Sequence, residues 1–319
     1  ALVDPDSGSV LPWSADLRSF RWNPNGGDTL DFVRSITCTS DQVFIGGKGN
    51  VLALDRVSGQ QRWNYRTGSS VGSLESNGSS SREATRVYFS TGQRIGCVDG
   101  QTGTLLWGTS HVDAGSTYPS GAPFVPILRL RNGDLFVIGA GSLLRECNAH
   151  VAALNLSTGE PLPLPWDTGG HVRRLLLSGQ RLYLAGDFTY VYTQAGFSTR
   201  GRAAAIDLTT QTLAPWNPNA DETVRCMELG PDGQIFLGGE FWTVGGLPRV
   251  SLAAVDSTNG AVLPWRADAD DWVMSMAHEG DTLYVGGWFT TLAGTQRNRL
   301  GALSTFDGGL RRWNPSADA

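Results

Sequence analysis

Seven tryptophans punctuate the chain at nearly even intervals: Trp13, Trp63, Trp107, Trp166, Trp216, Trp265 and Trp313. A period of this size means one supersecondary unit copied many times, and it restricts the fold more than any local motif does. The residues between the tryptophans define the unit. Each of the last three repeats opens with an alternating run: VRRLLLS at 172–178, VRCMELG at 224–230 and VMSMAHE at 273–279. After a turn, a second apolar run ends in small residues: LYLAGDF at 182–188, IFLGGEF at 235–241 and LYVGGWF at 283–289. A longer polar loop follows, then a third run (AAAIDL, LAAVDS, LGALST) and a short last strand that carries the tryptophan. Four short β-rich runs separated by Gly, Asn, Asp and Pro read as a four-stranded antiparallel meander. A lone meander leaves one face open; copies placed side by side and closed radially bury both faces and protect their edges. The expected fold is all-β, a β-propeller of four-stranded antiparallel blades.

The repeat predicts a single propeller domain over 1–319, with full repeats at about 31–63, 71–107, 121–166, 171–216, 222–265 and 271–313. Residues 1–13 match only the last two strands of a repeat. The count therefore reads as six blades with an extra hairpin, or seven blades with one incomplete. Abundant Gly (41 residues) and few charged residues (17%) suit short strands and tight turns. A formal net charge of −5 argues against a nucleic-acid footprint, which needs a basic patch. No apolar run reaches the length of a membrane span. Cys38, Cys97 and Cys226 sit in apolar strand-like runs and read as small buried residues, while Cys147 lies in a loop and is the one expected to react.

Recurrent polar positions divide into turn chemistry and candidate sites. Asp precedes Gly by four at Asp4, Asp55, Asp99 and Asp256, with Asn155 in the same role; such a side chain accepts turn N–H bonds while Gly takes positive φ. The Gly-Gly steps at 46–47, 238–239 and 286–287 predict a bulge or a close backbone approach. The seven periodic tryptophans are expected to pack between neighbouring blades. Trp242, Trp272 and Trp288 break the period and are the candidates for an exposed aromatic site. Arg200, Arg249 and Arg297 recur in the long loops and are candidates for an anionic ligand, with internal ion pairs to residues such as Asp187 and Glu240 as the alternative. Asp221, Asp270 and Asp318 each follow a repeat tryptophan by five and are metal candidates, able to hold calcium as a carboxylate ring or to cap link turns. The segment SLESNGSSSREAT at 73–85 reads as a solvated loop.

LGGEFWTVGGLPRVSLAAVDSTNGAVLPW and LYVGGWFTTLAGTQRNRLGALSTFDGGLRRWNP carry a Gly-Gly-x-Phe step, a later Gly, a loop Arg and a turn. On these residues the stretch from about 171 to 319 resembles the delta-sixty repeat β-propeller family, which implies a secreted or surface bacterial protein without a general activity. VLALDRVSGQQRW and VDGQTGTLLW make residues 33–107 similar to quinoprotein-type propeller repeats. Quinone-dependent dehydrogenases of that class use adjacent cysteines, which this chain lacks, whereas a related repeat also serves as an assembly scaffold. The expected function is a non-catalytic extracellular, cell-surface or periplasmic module that binds a protein or a glycan. The alternative is an enzyme with a central-channel site, either a polysaccharide lyase or hydrolase or a quinone-dependent dehydrogenase. His111, His150, His171 and His278 fall in different repeats and show no metal-ligand spacing, so the expectation is no bound cofactor apart from calcium.

Overall fold

The computed structural model describes residues 33–77, 84–91, 94–109 and 150–315, together with the backbone of the strands Leu2–Val3, Val10–Leu11, Ile127–Arg131 and Asp134–Ile138. Trp13, His111, Cys147 and Asp318 lie outside the described residues. The described residues form strands and turns, with no helix among them.

Each full repeat becomes one antiparallel sheet whose strands pair in chain order. The first sheet comprises Ser35–Cys38, Gln42–Gly46, Asn50–Asp55 and Gln61–Arg66. The second comprises Val71–Ser76, Arg86–Thr91, Ile95–Asp99 and Leu105–Thr109. The third comprises Ile127–Arg131, Asp134–Ile138, Val151–Asn155 and Pro161–Leu162. Val172–Ser178, Arg181–Gly186, Ala203–Asp207 and Thr212–Leu213 make the fourth. The fifth holds Val224–Leu229, Gln234–Gly239 and Leu252–Asp256, and the sixth Val273–Glu279, Thr282–Gly287 and Leu300–Ser304. The chain divides into two compact units, one of Ala1–Leu2 with Leu11–Pro163 and one of Val3–Val10 with Leu164–Ala319. Sheets one to three belong to the first unit and sheets four to six to the second.

Four sequence expectations are corrected here. In the fifth and sixth sheets the fourth strand shrinks to single bridges, Val255 with Val262 and Leu303 with Leu310. Pro264 follows directly in the fifth and has no N–H to extend the ladder. The long polar loop is not irregular: it folds as a hairpin in each of the last three repeats, Tyr190–Thr193 with Gly196–Thr199, Thr243–Val244 with Leu247–Pro248, and Thr291–Leu292 with Thr295–Gln296. Gly245 and Gly246 (φ 58° and 76°), and Ala293 and Gly294 (φ 47° and 73°), supply the two positive-φ residues that a tight hairpin turn needs. Ser73–Ser76 of the segment read as a loop belong to a strand. Cys38 is exposed, because the first strand of sheet one buries neither face fully, whereas Cys97 and Cys226 are buried as expected.

Second and third strands are covered on both faces. Gln234–Gly239 is buried along its whole length, and Leu252–Asp256 is buried up to its final residue. The reason is sheet-on-sheet packing. Leu176, Tyr183 and Ala205 of sheet four share one core with Met227, Ile235 and Leu237 of sheet five. Cys226, Phe236 and Leu252 on the other face of sheet five pack with Met276, Leu283 and Val285 of sheet six. The Gly-Gly step of sheet five serves both packings: a Cβ on Gly238 would lie 2.8 Å from Val273 Cγ1 of sheet six, and one on Gly239 2.1 Å from the Thr223 carbonyl oxygen of its own sheet, as one on Gly287 would lie 2.1 Å from that of Trp272. Opposite each step the first strand bulges, at Val224/Cys226 and Val273/Ser275.

The periodic tryptophans join one repeat to the next. Five of the indoles pack on an aromatic ring from the second strand of their own repeat: Trp63 on Phe44, Trp107 on Tyr88, Trp216 on Tyr183, Trp265 on Phe236 and Trp313 on Tyr284, with ring centroids 5.0–6.1 Å apart. Four of them donate Nε1–H to a turn carbonyl of the following repeat. Trp63 reaches Gly100 O at 2.9 Å, Trp107 Leu156 O at 2.9 Å, Trp216 Asp256 O at 2.8 Å and Trp265 Ser304 O at 2.9 Å. The acceptors are held by the recurrent turn. The Asp55 carboxylate accepts Val57 and Ser58 N–H, Asp99 accepts Gln101 and Thr102, Asn155 accepts Ser157 and Thr158, and Asp256 accepts Thr258 and Asn259. Gly103 and Gly159 then take φ of 70° and 73°, and a Cβ on either would strike the Trp63 or Trp107 ring.

Trp216→Ala is expected to cost about 3–5 kcal/mol of unfolding free energy in a urea titration, the range for emptying a buried aromatic site. Trp216→Phe, which keeps the ring packing and removes the donor, is expected to cost roughly 1 kcal/mol. Gly103→Ala is expected to cost at least about 1–2 kcal/mol from backbone strain alone, with the clash against Trp63 adding to it.

Candidate functional site

The bulge opposite each small-residue step, Ala185-Gly186, Gly238-Gly239 and Gly286-Gly287, also sets two residues side by side at one end of every sheet in the second unit. In sheet four they are His171 and Asp187, in sheet five Thr223 and Glu240, and in sheet six Trp272 and Trp288, joined by Asp187 N–H to His171 O, Glu240 N–H to Thr223 O and Trp288 N–H to Trp272 O at 2.9–3.0 Å. The next residue is a fully buried phenylalanine, Phe188, Phe241 or Phe289, so the residue before it turns outward. Sheet six therefore presents aromatic rings where the other two present a polar pair. Trp272 and Trp288 stack with centroids 5.2 Å apart and planes 19° apart.

Sheet five completes this cluster. The Arg225 guanidinium lies 4.9 Å from the Trp272 ring centroid and pairs with Glu240. A cation over an indole face is attracted by the ring quadrupole. One repeat earlier, Arg173 pairs with Asp187 at 3.0 Å. In sheet six the corresponding positions carry Met274 and Trp288, both exposed, so the ion pair has become an apolar patch. Sequence reasoning missed Arg225 and Met274. Their signal is the second position of the first strand, which reads Arg173, Arg225, Met274 down the repeats.

The same end of the unit carries the three loop hairpins, and aromatic residues stand on or beside them. Phe197 is 72% exposed and Trp242 65%, with Tyr192, Leu247 and Trp288 each about half exposed. Tyr190 packs edge-on against both Tyr192 and Phe197. Of the three tryptophans that are candidates for an exposed aromatic site, Trp242 and Trp288 are exposed and Trp272 is half-buried beneath Trp288.

The carboxylates expected to be metal candidates shape this surface. Asp221 Oδ1 accepts the backbone N–H groups of Trp242 and Thr243, both at 3.0 Å. Asp270 Oδ1 accepts those of Thr290 and Thr291 at 2.8 Å, and its Oδ2 accepts the Thr290 hydroxyl at 2.7 Å. Burial pushes both carboxyls up, but these donors outweigh it and hold them below the ordinary carboxylate value. Each aspartate is thus a clamp at the base of a hairpin, and Asp221 fixes the backbone of Trp242 itself.

The loop arginines are carbonyl staples. Arg200 Nη2 donates to Ala214 O and Arg249 Nη2 to Leu263 O, both at 3.0 Å, and Arg297 Nη2 donates to Arg311 O at 3.5 Å. Two residues later the chain enters the third strand through a left-handed residue, Arg202, Ser251 or Arg299, with φ of 61–67°. The expected partnership with Asp187 and Glu240 is corrected: those acids pair with Arg173 and Arg225. Burial lowers the Arg200 guanidinium from its ordinary value. Among the histidines, His278 Nδ1 lies 3.0 Å from Glu228 Oε1, across the first strands of sheets six and five. Among the described residues no three His, Cys, Asp or Glu side chains group as a metal site.

Consecutive antiparallel sheets of this kind, with no helix among the described residues, are shared with known propellers. The WD40 β-propeller domain of Doa1 matches with a TM-score of 0.51 at 13% identity, over 80% of this chain and 75% of that one. A computationally designed protein, Ika8, matches with a TM-score of 0.52 at 13% identity, over 91% and 88%. BamB from Moraxella catarrhalis matches at 18% identity over 87% and 81%, with a TM-score of 0.46. No curated protein matches the sequence significantly. A β-propeller domain of unknown function, DUF5122, matches residues 230–261. The fold is a β-propeller of four-stranded antiparallel blades. The family model described as outer membrane protein assembly factor BamB matches residues 1–216, and the chain belongs to that family. Both family matches are propeller repeats, the coarser part of the two resemblances read from the sequence.

Arg249→Ala is expected to destabilise the second unit by about 1.5–3 kcal/mol, the range for losing hydrogen bonds from a charged group, and Arg249→Lys is expected to recover little of it, because one ammonium cannot span the Pro248 and Leu263 carbonyls. Asp221 and Asp270 titrate lower in the folded chain than in the unfolded one. Their contribution is therefore complete above the ordinary carboxylate range and is lost as pH falls through their depressed folded values. Asp270→Asn is expected to flatten that acid limb in melting curves taken between pH 6 and about pH 3.

Proposed function

We propose that the chain is a non-catalytic propeller module of the bacterial envelope or cell surface, periplasmic or secreted, and that it docks a protein partner. In this reading residues 1–319 form one six-bladed domain. The observation that carries it is the aromatic end of sheets four to six, where Phe197, Trp242, Leu247 and Trp288 stand exposed on three consecutive loops, the second and third of them clamped from below by Asp221 and Asp270. Exposed, rigidly seated tryptophan and tyrosine side chains beside an arginine are the residue types that dominate binding at protein interfaces. The family's name, an assembly factor, describes relatives whose work is with other proteins. One observation favours a glycan instead: Trp288 is backed by Trp272, and Arg225, paired with Glu240, lies over Trp272, an arrangement that offers a sugar ring a stacking face with polar groups in the same cluster.

The test places a photo-crosslinking residue at Leu247 in the full chain, expressed in cells of its source. The expected result is one discrete protein adduct, reduced at least about tenfold by Trp288→Ala, the loss typical of a hot-spot residue. An adduct indifferent to Trp288→Ala and Trp242→Ala would remove the aromatic end from the account. Quenching of Trp288 fluorescence by an oligosaccharide, with no protein adduct, would establish the glycan reading.

A further inference from the structure

At the opposite end of the second strands, a cleft of about 360 Å³ opens between sheets five and six. Asp232, Gln234, Asp256, Trp265, Thr305 and Phe306 line it. The preceding junction shows what such a cleft ordinarily contains. Between sheets four and five, Arg181 extends across and donates Nη1–H to Ser257 O at 3.0 Å and Thr258 O at 2.9 Å, and the Tyr183 hydroxyl donates to Ser257 O at 2.7 Å. In sheet five the corresponding residues are Gln234 and Phe236. Gln234 is shorter: its Oε1 accepts the Asp232 N–H at 3.0 Å, and across the junction its Nε2 donates to Thr305 O alone, at 3.3 Å, while Phe236 has no hydroxyl. The cleft is the volume those changes leave.

The charge pattern follows the same logic. Arg181 stands opposite the turn aspartate Asp207 in the strand register, and Arg86 opposite Asp99. Asp55 has Arg62 at 2.7 Å. The Thr210 and Thr209 amides, and after them the Arg181 charge, hold the Asp207 carboxyl below its ordinary value. Asp256 stands opposite Gln234, and among the described residues no cation pairs with it. Asp232 adds a second carboxylate at the cleft wall. On the other wall Phe306 replaces Thr258 of the earlier turn and is 84% exposed, and Trp265 is buried at 5%.

We propose that this cleft accepts an arginine side chain of a partner protein, in the place that Arg181 fills one junction earlier. Its guanidinium meets the Asp256 and Asp232 carboxylates and the carbonyls of the Thr305 turn, and its plane lies against Phe306. Arginine suits the site better than lysine because a flat fork of donors matches carboxylate and carbonyl acceptors together and stacks on an aromatic face. The chain's net charge of −5 favours such a cationic visitor.

The experiment titrates N-acetyl-arginine amide into the full chain and follows the aromatic resonances of Phe306 and Trp265, with the neutral isostere N-acetyl-citrulline amide as control. Saturable shifts in the millimolar range with arginine and none with citrulline are expected. Gln234→Arg inserts the residue that sheet four already carries and is expected to abolish binding by filling the cleft from within. Asp256→Asn keeps the turn, as Asn155 does in the third repeat, and is expected to weaken binding about tenfold, in keeping with neutralising one partner of a charged hydrogen bond. Equal binding of citrulline, undiminished binding to Gln234→Arg, or no saturable shift would each overturn the proposal. These signals come from the end of the strands away from Trp288, so the outcome is separate from that of the aromatic docking surface.

Discussion

Four of the periodic indoles give their single donor to the neighbouring repeat, and the packing of the sheets within each unit depends on that bond. The last-strand tryptophan of one repeat packs on its own second strand and gives Nε1–H to a turn carbonyl of the next repeat. The turn's Asp, Asn or Ser side chain accepts the turn's own N–H groups and fixes the acceptor carbonyl; in the second unit Asp256 O and Ser304 O take the indole in addition to the Gly260 and Gly308 N–H. One residue thus couples local turn chemistry to sheet-on-sheet packing. The two units do this in slightly different ways. Trp63 and Trp107 bond the residue after the turn Asp or Asn, whereas Trp216 and Trp265 bond the carbonyl of the turn residue itself. In the first unit the indole ring lies against the turn glycine, and in the second the backbone near the tryptophan does so.

With the junctions held this way, the strand ends are free to differ. At one end the Ala-Gly or Gly-Gly step and the buried Phe fix where an outward residue stands, and the repeats place Asp187, Glu240 and Trp288 there. At the other end the second strand begins with Arg181, Gln234 or Thr282, and only the arginine spans to both carbonyls of the next turn. Variation is tolerated at these positions because neither contributes to the indole staple. Function on a propeller is expected at such positions, since the fold itself specifies no chemistry.

The tryptophan period and the Asp-x-x-x-Gly turns made the sheets legible in sequence, because both report backbone geometry that every copy must repeat. The hairpins within the loops were not legible as structure: their strands are two to four residues long, and their signal is a pair of positive-φ residues such as Gly245 and Gly246. The irregular tryptophans stood out because they break a period. That Trp272 and Trp288 stack, with Arg225 over Trp272, depends on a bulge and on a neighbouring repeat, which spacing along one chain does not encode. Arg200, Arg249 and Arg297 recur as regularly as any ligand set would. Their recurrence reflects a repeated need for loop carbonyls to be bonded, which also explains Asp221 and Asp270. A residue repeated in every copy is more readily explained by the fold, and a residue that breaks the pattern is the better place to seek a ligand.

The central claim is that the tryptophans divide into structural staples and surface rings, and indole exchange reads this directly. In a nitrogen-labelled sample transferred to deuterated water, the Nε1–H signals of Trp63, Trp107, Trp216 and Trp265 should persist, because each is bonded to a carbonyl across a packed junction. Those of Trp242 and Trp288 should vanish first. Rapid loss of the four staple signals, or protection of Trp242 and Trp288 equal to that of Trp216, would contradict the account.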